Sequence, residues 1–228
     1  MSPSLWVRCV SEIGGTALLV GIGTGSIVAS AKEGGAPEWV IALAWFAAVA
    51  TPVLLLARVS GSHINPAVTV ALWLSGRFSR REVGPYVASQ LTGAFIGSCL
   101  VLLALGPAAH LGATLPRGGN LWLVVPLELP FTALLMLTVL YLTAPGRAVR
   151  TVELLLPALA VAVSTYAIGP WTGSSLNPAR SLAPAVLSMD LTGVPLYLIA
   201  TFIGAIAAIG LARLGAELRR RWTSAGRH

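Results

Sequence analysis

The stretch SSLNPARS, residues 174–181, decides how this chain folds. It sets an amide, a proline and a guanidinium close together in a chain that is otherwise mostly apolar. Its core recurs in SHINPAVT, residues 62–69. Each motif opens an apolar run, NPAVTVALWL at 65–74 and NPARSLAPAVL at 177–187. A spanning helix needs about 20 residues, because each rises about 1.5 Å through hydrocarbon about 30 Å thick. These runs cover about half of that. Asparagine is a strong helix N-cap, and proline at the first helical position gives up an N–H that had no partner anyway. Asn65, Pro66 and Ala67, and again Asn177, Pro178 and Ala179, therefore predict the starts of two half-helices.

The rest of the chain supplies the frame. Its 228 residues are 56% hydrophobic and 10% charged, with mean hydropathy +0.82. A soluble domain carries about 25% charged residues, so the composition points to a protein of the lipid bilayer. Six segments are long enough to span: 9–29, 38–57, 83–105, 120–143, 152–169 and 194–213. Pro52, Pro126, Pro130 and Pro157 fall inside them, which a helix bundle tolerates. The net charge of +7 does not indicate nucleic acid, because the basic residues punctuate apolar runs instead of forming one polar face. They orient the chain. With a cytoplasmic N-terminus and six spans, Arg8, Arg58, Arg77, Arg80, Arg81, Arg147, Arg150, Arg213, Arg219, Arg220, Arg221 and Arg227 all lie inside. Only Lys32, Arg117 and Arg180 lie outside. That asymmetry places both termini in the cytoplasm of a multi-pass cell-membrane protein. Fourteen arginines to one lysine, in an Ala- and Gly-rich chain, suggest a GC-rich bacterial genome.

The sequence also repeats itself. EIGGTALLV at 12–20 echoes ELPFTALLM at 128–136, so each half begins with a carboxylate-bearing helix. Three spans per half is an odd number, so the two copies have opposite topology, and their half-helices meet N-terminus to N-terminus near the midplane. The expected fold is an all-α membrane protein of six transmembrane helices and two half-helices in an inverted repeat. It forms one domain over 1–228, with repeats at 8–105 and 120–213 and a basic tail at 214–228, read as a cytoplasmic cap attracted to anionic lipid.

Irregular backbone at membrane depth is tolerated only when buried in protein or lining a watery cavity. Two facing half-helices therefore imply a central aqueous path. If each asparagine oxygen caps its own helix, the amide N–H groups of Asn65 and Asn177 remain for a permeant. Both helix N-termini carry positive partial charge, which repels cations and orients water against proton hopping, as in a neutral-solute pore. Arg180, one turn beyond Asn177, needs a cavity and carbonyl or acidic partners, and a narrow outer mouth provides such a place. His63 leads into the first half-helix and is a candidate for the inner lining. Glu12 and Glu128 are expected to bond the backbone of the loops that enter the half-helices. Gly21 with Gly25, Gly93 with Gly97, and Gly204 with Ala208 fit close helix crossings. Cys9 and Cys99 lie in apolar helices with no disulfide or metal pattern. HExxH and any supported Ser/His/acid set are absent, so the chain is read as neither an enzyme nor a holder of metal or cofactor. An inverted-repeat secondary transporter would need a coupling-ion carboxylate facing the path, and no such residue is evident.

On these residues the chain resembles the aquaporin, or major intrinsic protein, family. The doubled motif SGSHINPAVT and LNPARS, with Arg after the second copy only, carries the resemblance, which runs over about 8–213. The resemblance implies a homotetramer with one pore per subunit. It also implies a selectivity filter placed by offset from the asparagines: Trp45, Thr165, Ser174 and Arg180. A slip of one residue would substitute Phe46 or Tyr166. Strict water channels of the family resemble one another in having Phe and His at the first two positions. Here Trp45 is similar to the glycerol and nodulin-26-like groups, and Ser174 leaves open space opposite Arg180. Water plus glycerol, urea or a neutral metalloid acid is the expected traffic. Ser181 and Ala185 are similar to the water-channel pattern instead, so strict water selectivity is the alternative. Tyr197 and Leu198 fit neither group cleanly.

Overall fold

The computed structural model describes residues 3–225. Arg227 and the end of the basic tail lie outside the described residues. Eight α-helices follow in chain order: α1 Leu5–Lys32, α2 Glu38–Leu56, α3 Pro66–Leu74, α4 Arg80–Leu105, α5 Val124–Leu142, α6 Leu156–Thr172, α7 Pro178–Leu187 and α8 Val194–Ala225. Among the described residues, six segments are long and apolar enough to cross a membrane, and α3 and α7 are the two short helices between them. Both short helices start as the motifs require. Asn65 Oδ1 accepts from the N–H groups of Ala67 (2.9 Å) and Val68 (3.4 Å), and Asn177 Oδ1 accepts from those of Ala179 (3.0 Å) and Arg180 (3.4 Å).

Two of the long helices overrun their apolar segments. α1 starts at Leu5, where the Ser4 hydroxyl accepts from the Val7 N–H at 3.4 Å. α8 runs on through the arginine-rich stretch to Ala225. Apolar length measures hydrocarbon thickness, whereas a helix stops only where its backbone does. The prolines expected inside spans divide into two kinds. Pro52 and Pro130 are interior to α2 and α5, whereas Pro157 sits in the first turn of α6, where no N–H partner is lost.

The packing repeats as the sequence does. α1 lies along α4 and α5 along α8, while α2 meets α6 across the middle of the bundle. The α1–α4 crossing is close because Gly93 and Gly97 present no side chain. A Cβ on Gly93 would fall 2.3 Å from the Ile13 carbonyl oxygen, and one on Gly97 would fall 2.6 Å from that of Ala17. Gly204 serves the α5–α8 crossing in the same way, with the Leu129 carbonyl oxygen at 2.4 Å. Apolar side chains such as Leu43, Leu55, Leu103 and Tyr166 face outward, toward the side a bilayer covers.

Candidate functional site

The two half-helices meet through their caps. Asn65 Nδ2 donates to the Leu176 carbonyl and Asn177 Nδ2 donates to the Ile64 carbonyl, both at 2.8 Å. This modifies the expectation that both N–H groups of each amide stay free. One hydrogen per amide is taken by the opposite repeat, because those carbonyls belong to loops with no helical ladder of their own. The second hydrogen remains. A cavity of about 230 Å³ passes both asparagines and extends from Val149 and Thr143 at one end to Trp45 and Arg180 at the other.

The loops before α3 and α7 twist through residues with positive φ: Ser62 (47°) and Ile64 (45°), then Ser174 (48°) and Leu176 (54°). Such angles are uncommon for residues with a side chain. They leave N–H groups pointing back toward α1 and α5, where the two buried carboxylates collect them. Glu12 accepts from the backbone N–H groups of His63 (2.9 Å) and Ile64 (2.7 Å), from the Ser60 hydroxyl (2.7 Å) and from Gln90 Nε2 (2.8 Å). Glu128 accepts from the N–H groups of Ser175 (2.9 Å) and Leu176 (3.1 Å) and from the Thr172 hydroxyl (2.7 Å). Tyrosine hydroxyls then tie down the two loops. Tyr86 donates to the Ser60 carbonyl at 2.9 Å and Tyr197 to the Thr172 carbonyl at 2.6 Å. Tyr86 and Gln90 escaped the sequence reading, which noted Tyr197 but not its hold on the loop. Adding the motif spacing to Tyr86 lands within one residue of Tyr197 and would have found the pair.

Arg180 is fully buried. Its Nη1 donates to the Gly112 carbonyl at 2.8 Å and its Nη2 to the Gly173 carbonyl at 3.3 Å. Gly112 lies in the loop between α4 and α5, which turns through positive φ at Ala109, His110 and Leu111 to bring its carbonyl inward. Thr114 pins that loop to α7 through the Ser181 hydroxyl at 2.9 Å. The Arg180 Cζ stands 4.7 Å from the Trp45 ring centroid, and both residues line the end of the cavity. Thr165 and Ser174 are buried nearby but are not among the cavity's lining residues. The Thr165 hydroxyl has no hydrogen-bond partner among the described residues. The Ser174 hydroxyl is paired with Ser164 at 2.8 Å, so the space expected opposite Arg180 comes with a hydroxyl already engaged. Tyr166 is 61% exposed on the outer face. His63 lines the cavity, with Nδ1 at 3.1 Å from the Thr69 hydroxyl and its ring packed on Phe78 and Tyr86.

The sequence model of the major intrinsic proteins matches residues 1–211. The chain belongs to the major intrinsic protein family. Aquaporin AqpM of Methanothermobacter marburgensis is 37% identical, with 90% of this chain and 95% of that protein covered. The glycerol uptake facilitator protein of Escherichia coli K12 is 34% identical, with 89% and 84% covered. The X-ray structure of the aquaglyceroporin from Plasmodium falciparum superposes with TM-score 0.77, covering 91% of this chain and 95% of that one. At 24% identity this last likeness shows the fold.

Proposed function

We propose that this member of the family is a passive channel for water and small uncharged solutes, with a mouth wide enough for glycerol, urea or a neutral metalloid acid, and that it excludes ions and protons. The observation that carries the reading is the cavity that runs past Asn65 and Asn177 and has Trp45 and Arg180 in its lining. Along it the half-helix N-termini and the remaining amide hydrogens offer donors and positive partial charge. A cation meets no compensating acid there. A water chain held oxygen-first at the centre cannot relay a proton. At the outer end the indole of Trp45, stacked against Arg180, gives the path an apolar border for a carbon backbone while Arg180 donates to hydroxyls. Thr165 and Ser174 complete that mouth, Ser174 through its backbone, since its side chain is held by Ser164. His63 borders the inner half, and Glu12 and Glu128 hold the entering loops. The whole of 1–228 acts as one channel domain with cytoplasmic termini, assembled as a homotetramer in a bacterial cell membrane.

Stopped-flow light scattering on proteoliposomes tests the reading. A sucrose gradient should cause fast shrinkage, and gradients of glycerol, urea or boric acid should give fast re-swelling. Shrinkage without re-swelling would leave a water-selective pore. Shrinkage no faster than in empty liposomes would overturn the channel reading itself.

A further inference from the structure

Trp45 lines the mouth, and its indole rests against a neighbouring helix. The residue that meets it is Gly23, buried on α1. A Cβ added there would fall 2.5 Å from Cζ3, 2.6 Å from Cη2 and 2.7 Å from Cε3 of Trp45. Three nearly equal distances to consecutive ring atoms put that point over the face of the six-membered ring, not at its edge. The α1 backbone therefore covers one face of the indole. Carbon atoms rest near 3.5–4.0 Å apart, so a methyl group at this position would drive the ring back by about 1 Å. The Arg180 guanidinium already touches the ring, with its Cζ 4.7 Å from the centroid, so a displaced indole must push on Arg180 or stand further into the cavity that both line.

The fold does not itself require glycine here. The repeat that aligns Glu12 with Glu128 aligns Gly23 with Val139, and Val139 carries its side chain into the lining of the same cavity. The geometry assigns Gly23 as a specificity-determining residue: it is the seat of Trp45, and its missing side chain sets how far the indole, stacked against the Arg180 guanidinium, stands into the cavity that both residues line. This assignment rests on the reading of Trp45 and Arg180 as the filter. Gly23 touches no solute. It acts through the ring.

The test compares the full chain with Gly23→Ala, Trp45→Phe and the double variant, all reconstituted at matched protein density, with glycerol and sucrose gradients as probes. Overpacking by one methyl should lower glycerol permeability by about tenfold while water falls by about threefold or less. A phenyl ring is shorter than an indole and leaves the space that the added methyl needs. Trp45→Phe should therefore restore glycerol flux in the Gly23→Ala background. A purely structural role for Gly23 would lower both fluxes in proportion, and an unchanged ratio of glycerol to water permeability overturns the assignment. So does a double variant as slow for glycerol as Gly23→Ala alone. If Gly23→Ala fails to incorporate, Trp45→Phe must rescue incorporation, and a double variant that still fails is equally fatal. A wild-type chain that passes water but no glycerol would overturn the wide-pore reading alone. The seat is then read from water, which Gly23→Ala must slow and Trp45→Phe must restore. A chain that passes neither overturns both.

Discussion

Replacing each buried glutamate by glutamine should separate two sites that look equivalent in sequence. Glu128 holds the Thr172 hydroxyl and one bond from Ser175 on Oε1, and the N–H groups of Ser175 and Leu176 on Oε2. A glutamine whose oxygen takes the Oε2 place still accepts from both backbone donors and orphans neither, although its NH2 then stands 2.9 Å from the Ser175 nitrogen that Oε1 also served. Its amide nitrogen then donates to Thr172 Oγ1, whose own proton has the Ile168 carbonyl at 3.2 Å as a ready alternative. Arg180 is bonded to the carbonyls of Gly112 and Gly173, not to this carboxylate, so its hydrogen bonds survive. Glu12 offers no such escape. Oε1 accepts from the His63 N–H and Oε2 from the Ile64 N–H, so either orientation of a glutamine sets an NH2 against a backbone N–H. One buried donor orphaned costs about 1–3 kcal/mol. For a chain of this size, that corresponds to a fall in Tm of about 2–12 °C at a scaling of about 2–4 °C per kcal/mol. Glu128→Gln, which orphans no backbone donor, should lose less than Glu12→Gln. The assay is the loss of the folded, monodisperse peak in detergent by size exclusion after heating at a fixed rate, because unfolding in detergent is irreversible. Equal destabilisation of the two variants, or a larger loss in Glu128→Gln, would refute the accounting of donors.

Arg180→Val should leave water flux at or above the wild-type rate and admit a cation leak, measured as acid-driven quenching of a trapped pH dye; an ion-tight variant would mean the barrier lies wholly at the asparagines. Asn65→Ala removes both the cap of α3 and the bond to the Leu176 carbonyl, and should cost about 2 kcal/mol, seen as a fall in thermal midpoint larger than that of Thr92→Ala on the outer face of α4. Tyr197→Phe leaves the buried Thr172 carbonyl without its 2.6 Å donor and should cost about 1–2 kcal/mol, whereas Tyr166→Phe on the outer face should cost nothing measurable. Ser164→Ala frees the Ser174 hydroxyl, and should change glycerol permeability more than water permeability in the same stopped-flow assay.

The parts that were legible in the sequence are those in which a side chain acts on backbone close to it. Asn-Pro marks a helix start because the capping oxygen and the missing N–H both concern the next few residues, and doubling the motif announces the inverted fold. Glu12 and Glu128 were legible as a repeated charge that apolar surroundings do not tolerate without donors. The cross-bonds from each asparagine to the opposite loop were not, since they depend on where Ile64 and Leu176 point their carbonyls. The grip on Arg180 was hidden for the same reason: Gly112 contributes a backbone oxygen, which every residue has, and reaches it through left-handed angles at Ala109, His110 and Leu111 that their side chains do not advertise. Trp45 shows the limit most plainly. Its offset from Asn65 names the ring at the mouth, but the ring's position is set from α1 by a residue that contributes no atom beyond the main chain. Pore width in this fold is thus written partly in side chains that reach the path and partly in ones withheld behind them, and the second kind is read only once the helices are packed.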